Sequence, residues 1–484
     1  MPLKLKKPFK TALLALALGT ALPTAAQDGP PPQALQQQVE AQLRDASPGT
    51  RFGLVVAAED GREIVAISPD GRFIPASNTK LVTTAAAFAT LPRLDRPDPA
   101  AGTAVRLERQ GAGAPDVVLE GQGDARLSSA PDCAANCLAA LADAVAARTR
   151  VARNVIGDDR FYPDQRWSPG MSWNNIPTAS GTGISALTLD DNELQLQVTP
   201  TAPGRPPALE VLPYYVIDNR AVTVAAGGAT DLEHDRMPFS NVLRLTGTIA
   251  MGAAPERLRL GIDDPAHYAA WRLKRLLEAR GVRVAGAASA RHRPPGPENP
   301  LASPEPLARL TPQPLTEDLV IINKVSQNLH AELMLRRLGR RNGTGSIADG
   351  LAIVQAMLAQ AGLARTDYDF SDGSGMSTYN RISPRGMVRL LRWANGQPWG
   401  AAWRATFPVG GVDGTLARRF RGTPLESRIF AKTGSINATS ALSGYMIARS
   451  GRTLLFSIYA NDIPDGAGAT PAMDAALLLI AARN

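Results

Sequence analysis

The sequence predicts an α/β domain whose sheet is built from both ends of the chain and is interrupted by a large, mostly β insertion. Three observations lead to this. Near the N-terminus, apolar runs at 52–57 and 63–67 flank the turn Glu59-Asp60-Gly61 and lead into an alanine-rich helical stretch. Strand-like runs return at 429–432, 441–448 and 453–459, so the two ends can share one sheet. Between them, two segments dense in proline, 92–115 and 294–314, mark where the chain leaves the first core and comes back.

Residues 1–26 read as a secretory signal peptide. Lys4, Lys6, Lys7 and Lys10 precede an apolar run over 11–22, and Thr24-Ala25-Ala26 has the small residues of a cleavage site. The run falls short of the roughly 20 residues that span a bilayer. The mature chain is therefore expected to begin near Gln27, outside the cytoplasm and without a membrane span. About 458 residues remain, more than one core organises, so two or three domains are expected.

An amphipathic pattern over 33–45 predicts the first helix, and a second runs from Ser77 to Leu91. The stretch from 92 to about 290 has short β-like pieces at 104–107, 117–119, 194–198 and 242–246, with helices at 138–148 and 266–280. Helical periodicity resumes at 317–338, 347–360 and 384–393, and a last helix is expected at 472–482. No internal repeat is apparent.

The full chain carries a formal charge of +8, but without the four leader lysines 48 basic side chains face 44 acidic ones, leaving +4. No Lys/Arg block interleaved with aromatics marks a nucleic-acid surface. Arg336, Arg337, Arg340 and Arg341 read as the solvated end of a helix. The four histidines, His234, His267, His292 and His330, fit no zinc-ligand spacing. No metal or cofactor is expected. Cys133 and Cys137, the only cysteines, are four apart and could close a helical turn or a tight loop by a disulfide in an exported chain.

Three short motifs carry chemistry. Ser77 and Lys80 lie three apart at the start of the second helix and so share a face. A serine hydroxyl attacks well only when a base takes its proton, and an amine can do so once burial or a neighbouring cation lowers its pKa. Ser326-Gln327-Asn328 stands in the first helix after the return segment, and Lys432-Thr433-Gly434-Ser435 at the end of a C-terminal strand. Ser326 can relay a proton between the Ser77–Lys80 pair and a leaving amine, and Asn328 can hydrogen-bond Lys80 and a substrate backbone. Lys432 offers charge to a substrate carboxylate and helps keep Lys80 neutral by repulsion. Thr433 can bond the same carboxylate, and Gly434 admits close backbone approach. The backbone N–H groups of Ser77 and Ser435 would form an oxyanion hole. Each motif alone is weak. In this order, on helix, helix and strand of an exported chain, together they are a strong signal.

The combination resembles the serine acyl-transfer set of penicillin-binding proteins and class A β-lactamases, with Gln327 in place of the usual aspartate. The chain looks most like the D-alanyl-D-alanine carboxypeptidase/endopeptidase group of low-molecular-mass (class C) penicillin-binding proteins. Phe370-Ser371-Asp372-Gly373-Ser374-Gly375-Met376-Ser377, the stretch from Pro408 to Leu416 and Gly121-Gln122-Gly123-Asp124 resemble further blocks of that group. The resemblance covers nearly the whole mature chain. It implies an α/β penicillin-recognising, serine transpeptidase-like fold with a central antiparallel sheet flanked by helices. That catalytic domain would comprise 27–92 and 312–484, with an inserted domain of 93–185 and 287–311 and a nested one of 186–286. It implies a periplasmic enzyme acting on peptidoglycan peptides and inhibited by β-lactams. It also implies an aspartate of the insertion near the diaminopimelate-type end of the substrate: Asp158, with Asp159 as the alternative.

Other readings stay open at this point. A β-lactamase or esterase on the same scaffold would need efficient deacylation, and no dedicated deacylating glutamate is evident. A protein that binds peptidoglycan or β-lactams without turnover would acylate and stop. The absence of G-x-S-x-G argues against an α/β-hydrolase.

Overall fold

The computed structural model describes residues 32–109, 111–294 and 305–484; the leader at 1–26 lies outside them. Two ends of the chain build one antiparallel sheet. Helix α1 (Pro32–Ala46), strand β1 (Arg51–Ala58), strand β2 (Glu63–Ile67) and helix α2 (Thr79–Thr90) come first. Helices α3 (Asn328–Gly339), α4 (Ile347–Gln360) and α5 (Pro384–Asn395) follow the insertion, then β3 (Ile429–Ser435), β4 (Ser440–Ile447), β5 (Thr453–Asn461) and α6 (Thr470–Arg483). The sheet order is β3-β4-β5-β1-β2, so the first and last strands of the chain pair at its middle, Val55 opposite Ser457.

The near-continuous apolar runs of β1 and β5 follow from burial on both faces. Leu54 and Val56 join Phe456 and Ile458 beneath α1 and α6, through Val39, Leu43, Met473 and Leu477. Their neighbours Val55, Ala57, Leu455 and Tyr459 point the other way, beneath α2 and α5, through Leu81, Ala85, Leu390 and Leu391. Period two therefore survives as an alternation between two apolar layers.

The insertion has its own core. A five-stranded sheet orders Ala288–Arg291, Val155–Asp158, Asp116–Glu120, Ala104–Glu108 and Ala308–Arg309. Leu141 and Val145 of helix Leu138–Arg148 share one apolar cluster with Leu273 and Leu277 of helix Pro265–Glu278. Two smaller sheets, centred on Glu193–Thr199 and Val242–Ala250, extend the same cluster. Cys133 and Cys137 are disulfide-bonded in the loop before the Leu138 helix.

Two expectations need correction. The helix predicted over 317–338 is three pieces: Leu315–Val320, a π-turn Ile321–Val325, and α3, which starts only at Asn328. Ser326 breaks the run with φ +67, left-handed, and the Gln327 side chain caps α3 by accepting from the Leu329 N–H. A left-handed serine costs roughly 1–2 kcal/mol, which the surrounding contacts must offset. The arginines at the end of α3 are not uniformly solvated either. Arg336 is 1 % exposed and donates to the Gln165 carbonyl of the insertion.

Candidate active site

The nucleophile sits on a sharp turn. Ala76 has φ +46, and a 3₁₀ turn over Ala76–Asn78 feeds α2, which leaves Ser77 half-buried at the helix start with Lys80 fully buried below it. Two glycines let other segments close on this turn. A Cβ at Gly434 of β3 would stand 2.6 Å from the Pro75 carbonyl oxygen and 3.1 Å from the Ser77 nitrogen. At Gly375, where φ is +92, it would stand 1.9 Å from the Ala76 oxygen. Asn78 ties the turn to β3 by donating to the Lys432 carbonyl at 2.8 Å.

Lys80 Nζ has three oxygen neighbours: Ser77 Oγ at 2.9 Å, Asn328 Oδ1 at 2.6 Å and the Ser374 carbonyl at 2.6 Å. The Asn328 amide is oriented by its Nδ2, which donates to the Ser180 carbonyl at 2.9 Å. Carbonyl oxygens only accept. A neutral amine therefore spends its two N–H bonds on Asn328 and Ser374, and its lone pair remains for the Ser77 hydroxyl. Burial pulls the Lys80 ammonium down to about 7, against the opposing pull of Asp372 and Glu332. Burial was expected to lower Lys80, and it is the largest cause. Lys432 is pushed down as well, by its own burial and then by the Lys80 charge.

Lys432 Nζ donates to Ser326 Oγ at 2.8 Å and to the Thr433 carbonyl at 2.9 Å. The break before α3 thus presents Ser326 to Lys432 and Asn328 to Lys80, which a continuous helix would not do at positions two apart. Thr433 Oγ1 donates to Thr415 Oγ1 at 2.7 Å. Ser77, Ser326, Thr433, Gly434 and Ser435 line one cleft of about 790 Å³, together with Thr415 and Arg419. Among the described residues no His/Cys/Asp/Glu cluster stands together as a metal site.

Asp158 is not in this cleft. It is 3 % exposed, on the last position of its strand, and accepts from Arg160 Nε at 3.0 Å and Nη2 at 2.8 Å and from Arg106 at 3.4 Å. Asp159 is equally engaged, by Ser185 Oγ at 2.8 Å and by His292. Both carboxylates expected near the substrate therefore have partners inside the insertion.

Sequence reasoning missed Glu332 and gave Asp372 no role. Glu332 Oε1 accepts from the Gly373 and Ser374 N–H groups, both at 2.9 Å, and Asp372 accepts from Gly375 and Ser377 N–H and from Asn380. Together they fix the loop whose Ser374 carbonyl orients Lys80. The signal for Glu332 was present: it lies four residues after Asn328, on the same helical face.

Fold and site together define a penicillin-recognising serine peptidase with a domain insertion. The chain belongs to the D-Ala-D-Ala carboxypeptidase 3 (S13) family, whose pattern it matches over residues 35–483. It is 34 % identical over 449 residues to a D-alanyl-D-alanine carboxypeptidase of Actinomadura sp., covering 88 % of this chain and 81 % of that one. The carboxypeptidase DacB of Haemophilus influenzae is 25 % identical over 311 residues, 61 % of this chain and 62 % of the relative. The crystal structure of penicillin binding protein 4 from Haemophilus influenzae has the same fold, with a TM-score of 0.77 at 21 % identity, covering 92 % of this chain and 97 % of that one.

Proposed function

We propose that Ser77 is the nucleophile of a D-Ala-D-Ala carboxypeptidase that also opens D-Ala-containing peptide cross-links, outside the cytoplasm, on peptidoglycan peptides. The observation that carries the reading is the coordination of Lys80, which leaves its lone pair to Ser77 Oγ at 2.9 Å. The Lys80 amine takes the hydroxyl proton as Oγ bonds to the penultimate D-alanine carbonyl. The N–H groups of Ser77 and Ser435 would hold the developing oxyanion. As the C–N bond breaks, Lys80 gives up that proton to Ser326, held by Lys432, while Ser326 passes its own to the departing D-alanine nitrogen. Neutral Lys80 then deprotonates a water that attacks the acyl carbonyl, and returns the proton to Ser77 Oγ as the acid leaves. Lys432 and Thr433 receive the terminal carboxylate, which would favour charged Lys432 in the complex. Among the described residues no helix is long and apolar enough to cross a membrane.

Incubating the purified protein with a pentapeptide muropeptide and with a cross-linked dimer, followed by HPLC, tests the reading. Released D-alanine and cleaved dimer are expected. Rapid penicillin turnover without D-alanine release would favour the β-lactamase, and a stable adduct without any product would favour the binding protein.

A further inference from the structure

A second cleft, of about 440 Å³, lies where the insertion meets the far ends of α2 and α3. Both helices begin at the active site, with Ser77 and Lys80 at one start and Asn328 at the other, and α2 alone carries the chain about 18 Å away. The two clefts share no lining residue. Five arginines line the second one: Arg93 and Arg96 from the segment after α2, and Arg337, Arg340 and Arg341 from the end of α3.

The hydrogen-bond partners of Arg337 and Arg340 are neutral. Arg337 donates to the Gly123 carbonyl at 3.1 Å and Arg340 to the Gly343 carbonyl at 3.0 Å, both neutral acceptors. Among the described residues Arg93, Arg337, Arg340 and Arg341 form no ion pair, and Arg96 reaches only the exposed Asp95, at 4.0 Å. Three acids, Asp98, Asp124 and Asp318, line the same cleft and offset part of the charge of the five arginines, leaving it net positive. Asp98 caps the Ala100 N–H, Asp124 accepts from Asn136 and from the Arg126 N–H, and Asp318 pairs with His330 at 3.2 Å.

Tyr162 also lines the cleft. It is 3 % exposed, and its hydroxyl, beside Gly123, has no hydrogen-bond partner among the described residues. Burial pushes that phenol up, while Arg337, Arg336 and Arg340 pull it down, so the guanidinium field reaches it. Phe161, Leu91 and Leu315 complete an apolar wall. Guanidinium groups pair bidentately with oxyanions, and several around one hollow suit a group with three acceptor oxygens and more than one charge.

We propose that this arginine-lined cleft between the insertion and the ends of α2 and α3 is a binding site for a phosphate-bearing ligand, separate from the catalytic cleft. The phosphate belongs either to a small soluble anion or to a lipid headgroup, and the two arms of the test separate these sources. In the first, pyrophosphate is titrated into the purified protein by calorimetry at fixed ionic strength, with sodium chloride as the control. In the second, the protein is co-sedimented with vesicles of phosphatidylglycerol or of phosphatidylcholine. Variants Arg93→Glu and Arg341→Glu alter exposed side chains, and both are expected to keep wild-type penicillin labelling of Ser77, which shows that they fold. Saturable one-to-one binding of pyrophosphate, weakened at least tenfold in both variants, is expected for a soluble ligand. Sedimentation with phosphatidylglycerol alone, lost in both variants, would identify the headgroup. Absence of binding in both arms, or binding that both variants leave unchanged, would overturn the proposal.

Discussion

Two buried ionic clusters in this molecule differ in how their charges are matched. In the insertion, Arg106 is 4 % exposed and pairs with Glu108, Glu120 and Asp158, while Arg160 and Arg291 supply further cations to Asp158 and Glu108. In the catalytic domain Lys80 and Lys432 are fully buried, yet their hydrogen bonds go to hydroxyls and carbonyls, and among the described residues no carboxylate pairs with either amine. Matched charges lock a structure. Unmatched ones are held away from their ordinary protonation state and stay available for proton transfer. Asp158 was placed near the substrate by the family resemblance, which does not show the ion pairs it makes within the insertion.

The sharpest break between the clusters is the nucleophile. Penicillin should add one drug mass to the peptide containing Ser77, as mass spectrometry reads, and Ser77→Ala should abolish the adduct. Labelling that maps to Ser326 or Ser374 would remove the catalytic cluster from the comparison. Next, Lys80→Ala should leave a folded protein whose acylation is slower by about 10²–10⁴; stopped-flow labelling that shows less than a tenfold loss would make another group the base. Lys432→Ala should reduce turnover more for substrates with a free carboxylate than for a carboxylate-free ester, since charge-assisted hydrogen bonds are roughly twice as strong as neutral ones. Equal losses would mean that Lys432 acts only through Ser326 or Lys80.

Asp158→Ala tests the other cluster. Leaving Arg106 and Arg160 without it should cost about 3 kcal/mol in denaturant unfolding, as removal of one partner from a buried pair does, with acylation by penicillin unchanged. A selective fall in turnover of diaminopimelate-type peptides, with stability intact, would return Asp158 to the substrate. The smallest effect is on pH, and the two regions should respond in opposite directions. Lys80 works as the neutral base and its pKa is about 7, so acylation should rise with pH through about 7. Glu332→Gln removes a charge that holds this pKa up and should move the inflection to lower pH. His292, between Asp159 and Asp264, is raised to about 10, and His330, which joins α3 to Asp191 of the insertion, to about 9. Both folded values exceed the unfolded 6.5, so their stabilisation is complete below pH 6.5 and is lost as pH rises through about 9 and 10. Thermal melts should therefore fall above neutrality while labelling accelerates; a melting temperature flat from pH 6 to 10 would contradict this.

Much of the fold was legible because apolar periodicity is a local record of burial. The sheet strands and the helix at 347–360 emerge within a few residues of expectation. Ser77, Lys80, Asn328, Ser326 and Lys432 were legible as types at fixed order, and the structure brings them within hydrogen-bond reach in two linked sets. The break at Ser326 was not, because helical periodicity continues across it and the contacts that hold a left-handed serine come from distant segments. Nor was burial of Arg336, whose partner Gln165 lies in another domain. Glu332 was not singled out; only the folded loop at Gly373 and Ser374 shows what it holds.

The pairing of Ala104 with Arg309 has a kinetic consequence. The strands that lead into and out of the insertion lie side by side, so once the insertion has collapsed its two ends are neighbours. Strand β1 must find β5 across most of the chain, and search time grows with the sequence separation of contacting residues. A self-closed insertion shortens that separation to the path around its exterior. Loop-closure entropy rises by only about 0.6 kcal/mol for each doubling of length, and here even that increment is reduced. The insertion would then be the natural first module to condense, and the catalytic sheet the last.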